Sequence, residues 1–379
     1  MKRIFIVQNT PLGEPLPLSV YLTDLLRNFK KNKKFEINLI VGNSSDIPKE
    51  IRELCNKIYQ LNSSTYSIKD NIKFSLDVFS ILRKENKKNK IDIVHCFYPN
   101  SSLLGAVMFK TLIQKCKIIY DVRSPWIDMS IGRGHVKKML FLYKAVLNSE
   151  EKFLCKFVDN FIFITKGLEE HYKNNLNVKN CPVLISPSGV DLKKFKKLKS
   201  NIRKKYGILE EEILIGHIGS IDKLRELGTF IQLFSSLPNN TKLMFVGGGD
   251  SLEDLKKLVK ELNLDKRVIF IPKVPHKEVS KYISSFEFGL CHLPNIFIFS
   301  SCVPIKILEY LSCDVPVLAS YLKAHIDLSK DLKGIHIYKN SKDILNIMNK
   351  GRSKKFKNNF KDYSWEEITK KYENVWRRL

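Results

Sequence analysis

The chain has 379 residues, more than one hydrophobic core ordinarily carries, and its 44% hydrophobic content speaks against low-complexity disorder. No apolar run reaches the ~18–20 residues that cross a bilayer, and the apolar core of "MKRIFIVQNT" is too short for a secretory leader, so a cytoplasmic protein is expected. A formal net charge of +26 calls for anionic partners (nucleic acid, anionic lipid or phosphorylated small molecules) and leaves the choice among them open.

Short β-branched-rich runs at 3–7, 36–41, 92–97, 117–122, 160–164 and 182–187 predict strands, the first of them buried. Between them lie amphipathic stretches. In 18–29, Val20, Leu22, Leu25, Leu26 and Phe29 recur at helical spacing. The turn-rich, then lysine-rich stretch 186–207 reads as a linker. The alternation then restarts, with strands at 213–220, 242–250, 267–274, 287–294 and 316–320. The intervening helices are expected at 227–237, 252–264, 276–286 and from near Pro304. In the tail 363–379, Trp365, Ile368, Tyr372 and Trp376 share a helical face that can pack back on the first domain. The fold class expected is therefore α/β: two Rossmann-like, doubly wound domains, residues 1–188 and 189–362, with a ligand cleft at the carboxyl ends of their strands.

Three stretches can carry chemistry. In "VPIKILEYLSCDVPVLAS" (303–320), Pro304 suits the first position of a helix, with Ser300 and Ser301 before it as caps. Ile305, Leu308 and Leu311 would face the core, leaving Lys306 and Glu309 on another face. The N-terminus of the helix that Pro304 opens would offer the free N–H groups of Ile305 and Lys306, with partial positive charge, to a phosphate. The alternative is a surface Lys306–Glu309 pair worth ~0.2–0.5 kcal/mol. In "GHIGSIDKLRELGTF" (216–230), Gly219 and Ser220 form a turn, with Lys223 and Arg225 near the next helix. That turn can cradle a phosphate gripped by Arg225, or Arg225 can be a solvated charge. "VGGGD" (246–250) lacks dinucleotide spacing and reads as a tight turn with Asp250 capping a helix. The eight cysteines are scattered, with no C-x-x-C pair, and read as small buried hydrophobes in a reducing compartment; no metal site is expected. The lysine clusters lack interleaved aromatic residues, so no stacking platform for nucleic acid is expected.

Taken in order, "HIGSIDKLRELGTFIQLF", "KLMFVGGGD", "RVIFIPKVPHKEVSKYISSFEFGLCHLP" and "PIKILEYLSCDVPVLAS" resemble the donor half of the retaining GT-B glycosyltransferases, glycosyltransferase family 4. "IDIVHCFYP", "KIIYDVRSPW", "FVDNFIFITKGLEEHY" and "VLISPSGVDLKKF" extend the resemblance through the first half. The resemblance implies that Arg225 holds the donor diphosphate and acts in catalysis. The family's second basic residue falls at Ser220, a departure that Lys223 or Lys306 can compensate. Lys273 and Val274 match the main-chain groups that hold the base, and Glu309 matches the glutamate that binds the ribose hydroxyls. The glutamate that contacts the transferred sugar falls at Ser301. In the first domain, Gly13 would approach the diphosphate, and Tyr98 and Arg123 would meet sugar or acceptor. Arg123 stands where relatives carry histidine, and an ion pair with Asp121 or Asp128 is its alternative.

The resemblance further implies transfer of a sugar from a UDP- or GDP-sugar to a glycan or lipid-linked acceptor, by front-face attack, with no cofactor and no metal. A nucleotide-sugar 2-epimerase of the same fold is the second reading, which the loss of a glutamate at Ser301 counts against. A basic nucleic-acid-binding protein is the third, and no module for reading nucleic acid is visible. The segment 135–147 sets Met139, Leu140, Tyr143, Val146 and Leu147 on one helical face amid Lys137, Lys138 and Lys144. It reads either as core or as a helix that lies on an anionic membrane.

Overall fold

A computed structural model describes the chain except residues 13–16, 30–32, 45–46, 63–66, 126, 128–139, 177, 179–180 and 352–355, and except the side chains of 17, 140–144 and 351. The chain forms two compact units. One is Met1–Gly189 with Trp365–Leu379; the other is Val190–Ser364.

The N-terminal unit is built on strands β1 (Lys2–Gln8), β2 (Phe35–Gly42), β3 (Lys57–Leu61), β4 (Ile93–Phe97), β5 (Lys117–Val122), β6 (Asn160–Phe163) and β7 (Val183–Ile185). Their order is β3-β2-β1-β4-β5-β6-β7, and every pairing is parallel. The central strands are buried and mostly apolar, as expected of a sheet covered on both faces, with Asn38, His95 and Asp121 among their buried polar residues. Edge strand β3 is only half-buried along its length, and its sequence KIYQL lacks the apolar run that marks the others.

The C-terminal helix Trp365–Arg378 belongs to this unit, and Trp365, Ile368, Tyr372 and Trp376 are all buried. Trp376 stacks on Phe29 with ring centroids 4.8 Å apart, and its indole N–H donates to His95 Nδ1 at 3.1 Å. Gly189 leaves room for this helix, since a Cβ there would come within 2.5 Å of the Trp365 ring. Lys2 Nζ donates to the Trp376 and Arg377 carbonyls at 3.1 and 2.8 Å, satisfying open acceptors of the last turn.

The C-terminal unit repeats the plan with β8 (Ile213–Ile218), β9 (Thr241–Val246), β10 (Val268–Ile271), β11 (Phe288–Cys291), β12 (Val317–Ser320) and β13 (Ile335–Tyr338), ordered β10-β9-β8-β11-β12-β13 and all parallel. The strand order reverses beside β8, which creates a crevice at its carboxyl end. Both units are thus the doubly wound α/β bodies that the alternating pattern predicts.

Candidate functional site

The carboxyl end of β8 runs into Gly219, whose φ of +123° only glycine tolerates easily. The next loop over, after β9, closes directly on it. Gly219 N–H donates to Val246 O, Ile221 N–H to Gly248 O and Ser251 N–H to Ile221 O, at 3.0, 3.0 and 3.1 Å. A Cβ on Gly247 would lie 1.9 Å from Gly219 O. The glycines of "VGGGD" therefore serve loop-to-loop contact. Asp250 is no helix cap. It accepts the Lys223 N–H at 2.9 Å, and Ser251 holds the cap position without a side-chain bond.

Arg225 sits on the short helical turn Lys223–Arg225. Its Nε donates to Ser220 Oγ at 2.8 Å and to Asp222 Oδ2 at 3.2 Å, while the guanidinium lies 5.9 Å from the Phe299 ring centre. Among the described residues its two terminal nitrogens have no hydrogen-bond partner, so they remain available to an anion.

Helix Ile305–Ser312 starts one residue later than expected, with Pro304 as its cap residue and no side-chain cap. Its buried face is Ile307, Leu308, Tyr310 and Leu311, whereas Ile305 is only partly buried. Tyr310 fixes the helix against β8, its hydroxyl accepting the Ile218 N–H at 2.9 Å. Ser300 and Ser301 do not cap this helix; they end the preceding turn, Phe297–Ser300. Ser301 is buried with its hydroxyl donating to Phe297 O at 2.8 Å.

Lys306 reaches back over the β8 loop. Its Nζ would lie 3.6 Å from a Cβ on Gly219 and is 3.4 Å from His217 Nε2. Burial and the nearby Arg225 guanidinium pull its pKa down to about 7, with Cys291, Glu309 and Asp222 opposing. Burial, together with Lys306 and Arg225, holds His217 well below the usual histidine range, so its ring is neutral. Lys223 goes elsewhere: its ammonium stands 3.7 Å from Asp254, and both are exposed. Of the two lysines expected to stand in for the missing basic residue at Ser220, it is Lys306 that the fold brings to that loop. Glu309 lies one helical turn further along, partly buried. Lys273 is exposed and Val274 half-buried just beyond the end of β10.

In the N-terminal unit, Arg123 is buried. Its Nη1 donates to Ser186 O at 2.8 Å and lies 3.5 Å from Asp121 Oδ1, and its guanidinium stacks 3.7 Å over the Tyr21 ring centre. Burial opposes its charge, but Tyr21, Tyr372 and Asp121 outweigh that and raise its pKa. Asp121 also accepts from the Tyr372 hydroxyl and faces His95 Nε2 at 3.5 Å. The ion pair with Asp121 is thus present, and Asp128 lies outside the described residues. Tyr98 is buried at the carboxyl end of β4, its N–H donating to Asp121 O at 3.1 Å. Gly13, and residues 135–139 of the 135–147 segment, also lie outside the described residues. A cavity of 750 Å³ opens at the opposite, amino-terminal edge of this sheet, but Lys110 and Lys117 in its wall are paired with Asp159 and it contains none of the candidate residues.

Two family models match the two halves in order: Glycosyltransferase Family 4 over residues 18–194 and Glycosyl transferases group 1 over residues 199–363. The chain is a GT-B glycosyltransferase. It is 24% identical over 316 residues to the O-antigen biosynthesis glycosyltransferase WclY of Escherichia coli, covering 78% of this chain and 81% of that one. The N-acetyl-alpha-D-glucosaminyl L-malate synthase of Bacillus anthracis is 21% identical, over 73% of this chain and 69% of its own. Among solved structures, sucrose-phosphate synthase of Thermosynechococcus elongatus superposes with a TM-score of 0.76 at 16% identity, covering 100% of this chain and 99% of that one. Anabaena HepE in complex with UDP gives 0.73 at 13% identity, over 100% of both chains.

The glycosyltransferase carries polar residues that its sequence left unassigned. Below the cation pair, His325 Nδ1 donates to Ser320 O at 2.8 Å and its Nε2 faces Cys291 Sγ at 3.5 Å, while His292 Nδ1 meets the Tyr338 hydroxyl at 2.6 Å. His217 stands in the quoted "GHIG", and the one signal for it was a polar residue just before the glycine turn of a buried strand.

Proposed function

We propose that this glycosyltransferase moves a sugar from a UDP- or GDP-sugar to a hydroxyl of a glycan or lipid-linked saccharide, with retention of configuration. The observation that carries the reading is the convergence of two cations, Arg225 and Lys306, on the Gly219–Ser220 turn at the carboxyl end of β8. Two cationic side chains brought to one turn favour the arrival of a diphosphate. HepE structures contain UDP, and another contains UDP-glucose, which supports a nucleotide-sugar donor here.

In the proposed reaction the bond between the sugar's C1 and the diphosphate oxygen breaks, and the nucleoside diphosphate leaves with the electron pair. The acceptor oxygen bonds to C1 on the same face and passes its proton to the departing phosphate. Arg225, the Lys306 ammonium and the first N–H groups of helix Ile305–Ser312 neutralise the charge that builds on the leaving group. Glu309 would take the ribose hydroxyls, and the backbone at Lys273–Val274 the base. These cations are proposed to suffice without a metal, and undiminished activity in a chelator is the expected outcome.

The acceptor is proposed to be reached at an anionic membrane surface. Helix Ile68–Asn86 carries Ile68, Ile72 and Leu76 at i, i+4 and i+8, exposed by 56, 53 and 50%, beside exposed Lys69 and Lys73. Its first turn is tied to the carboxyl end of the sheet through Asn9 Nδ2 donating to Asn71 Oδ1 at 2.7 Å. Apolar side chains flanked by lysines suit a lipid interface.

A thermal-shift screen of UDP, GDP, ADP and their sugars tests the donor. A ligand at ~100 times its dissociation constant stabilises by ~2.7 kcal/mol. The stabilising nucleotide should lose most of its effect in Glu309→Gln, and an unchanged shift there would reject the ribose assignment.

A further inference from the structure

We propose, on the strength of the donor-site reading, that His217 is a positioning residue for the donor diphosphate: its buried imidazole holds the Lys306 amine over the Gly219–Ser220 turn. His217 has no exposed surface. Its Nε2 lies 3.3 Å from Ser220 O and 3.4 Å from Lys306 Nζ: as a bare nitrogen it accepts from the Lys306 ammonium, and in the other tautomer it donates to the Ser220 carbonyl instead. The ring is held from behind by Phe245, with centroids 5.7 Å apart.

The histidine is a poor choice for packing alone. Its Nδ1 is buried without a hydrogen-bond partner among the described residues, whichever tautomer it adopts. An apolar side chain against Phe245 would avoid that cost. Nor can its charge be the purpose, because burial and two neighbouring cations keep it neutral. What a neutral imidazole supplies here is a directed Nε2 lone pair at the point where the ammonium must stand. Ser220 occupies the place of the family's second basic residue, and its carbonyl is the other contact of the same Nε2. The pair His217–Lys306 would thus deliver from helix Ile305–Ser312 the cation that the β8 loop lacks.

This arrangement links donor capture to a proton. The groups facing the amine are His217 from β8, Arg225 and Asp222 from the following loop, Cys291 from β11, His325 from helix Lys323–Asp331, and Glu309 from its own helix. Burial and Arg225 outweigh the acidic groups and hold the amine near half-protonation at neutral pH. A diphosphate would draw it fully into the ammonium form, so binding takes up a proton above neutral pH.

The test is a double-mutant cycle, read by calorimetric titration of UDP and GDP into the full chain. His217→Phe and Lys306→Met should each weaken binding of the preferred nucleotide about tenfold, and the double variant should bind no worse than Lys306→Met. His217→Gln, which keeps a donor and an acceptor, should recover much of the loss and show the same non-additivity. Full additivity, or wild-type affinity in His217→Phe, would overturn the proposal while leaving the donor site standing. Wild-type protein supplies a reading that no folding defect can spoil. Nucleotide affinity should fall from pH 7 to 9, approaching tenfold per pH unit, and a flat profile means the amine is not held in its buried seat. If neither nucleotide binds wild-type protein, the donor reading itself fails, and this proposal with it.

Discussion

The Lys306 amine lies 3.4 Å from Nε2 of His217, and the fold thereby keeps a lysine where its charge is poorly solvated. Its folded pKa of about 7 stands below the ordinary lysine value of 10.5 that applies when the chain unfolds. Between those values the unfolded chain binds more protons, so this residue makes stability rise with pH across that window and contributes no slope below it. Lys306→Met should remove that rise and stabilise the unliganded protein most at pH 7 and below. Urea midpoints for both proteins at pH 6, 7, 8 and 9 measure it, and a constant difference across that range would mean the lysine is solvated.

Arg225→Ala should lower kcat more than it raises the donor KM. The guanidinium is already anchored through Nε to Ser220 and Asp222, so its free nitrogens are set for charge that grows as the diphosphate departs. Steady-state kinetics with the donor identified by thermal shift decide the split, and a wild-type kcat would reduce Arg225 to a surface charge.

The C-terminal helix should be indispensable to the N-terminal unit. Trp376→Ala removes a ring stacked on Phe29 and the donor to His95, and should cost about 3–5 kcal/mol. Tyr372→Phe removes a donor to the buried Asp121 carboxylate and should cost about 1–3 kcal/mol. Urea denaturation of the two variants should give that order, and midpoints equal to wild type would show the helix to be an ornament of the fold.

Much of this architecture could be read in the chain. Buried parallel strands are apolar on both faces, so β1, β4, β5, β8 and β9 stood out, whereas β3 and β13 line sheet edges, are half-buried and carry a mixed pattern. Lys306 and Glu309 drew notice as the two charged residues of a sparsely charged segment, whereas Arg225 lies in the charged run "DKLRE" and drew notice from the glycine turn before it and from the family resemblance. Helix caps were not. Ser301 turns its hydroxyl to its own preceding turn, and Asp250 reaches across to Lys223, because side chains of this length bond whichever backbone group the neighbouring loop presents. Arg123 and His217 owe their contacts to partners far along the sequence, such as Ser186, Tyr372 and Lys306, which no local spacing reveals.

Membrane contact should depend on helix Ile68–Asn86. Sedimentation with vesicles of acidic lipid at low salt should carry the protein down, and high salt should release it. Ile72→Ser with Lys69→Glu and Lys73→Glu should leave it in the supernatant. Equal recovery of wild-type protein with and without vesicles would leave the lysine excess to another partner.

The central claim is that Arg225 and Lys306 together seat the donor diphosphate, and calorimetric titration of UDP and GDP into wild-type protein and into Arg225→Ala with Lys306→Met tests it most directly. Each cation should contribute about 1.5–3 kcal/mol through charge-assisted bonds, so the double variant should bind the preferred nucleotide at least a hundredfold more weakly while keeping its circular dichroism spectrum. Equal affinity in the two proteins would contradict the account.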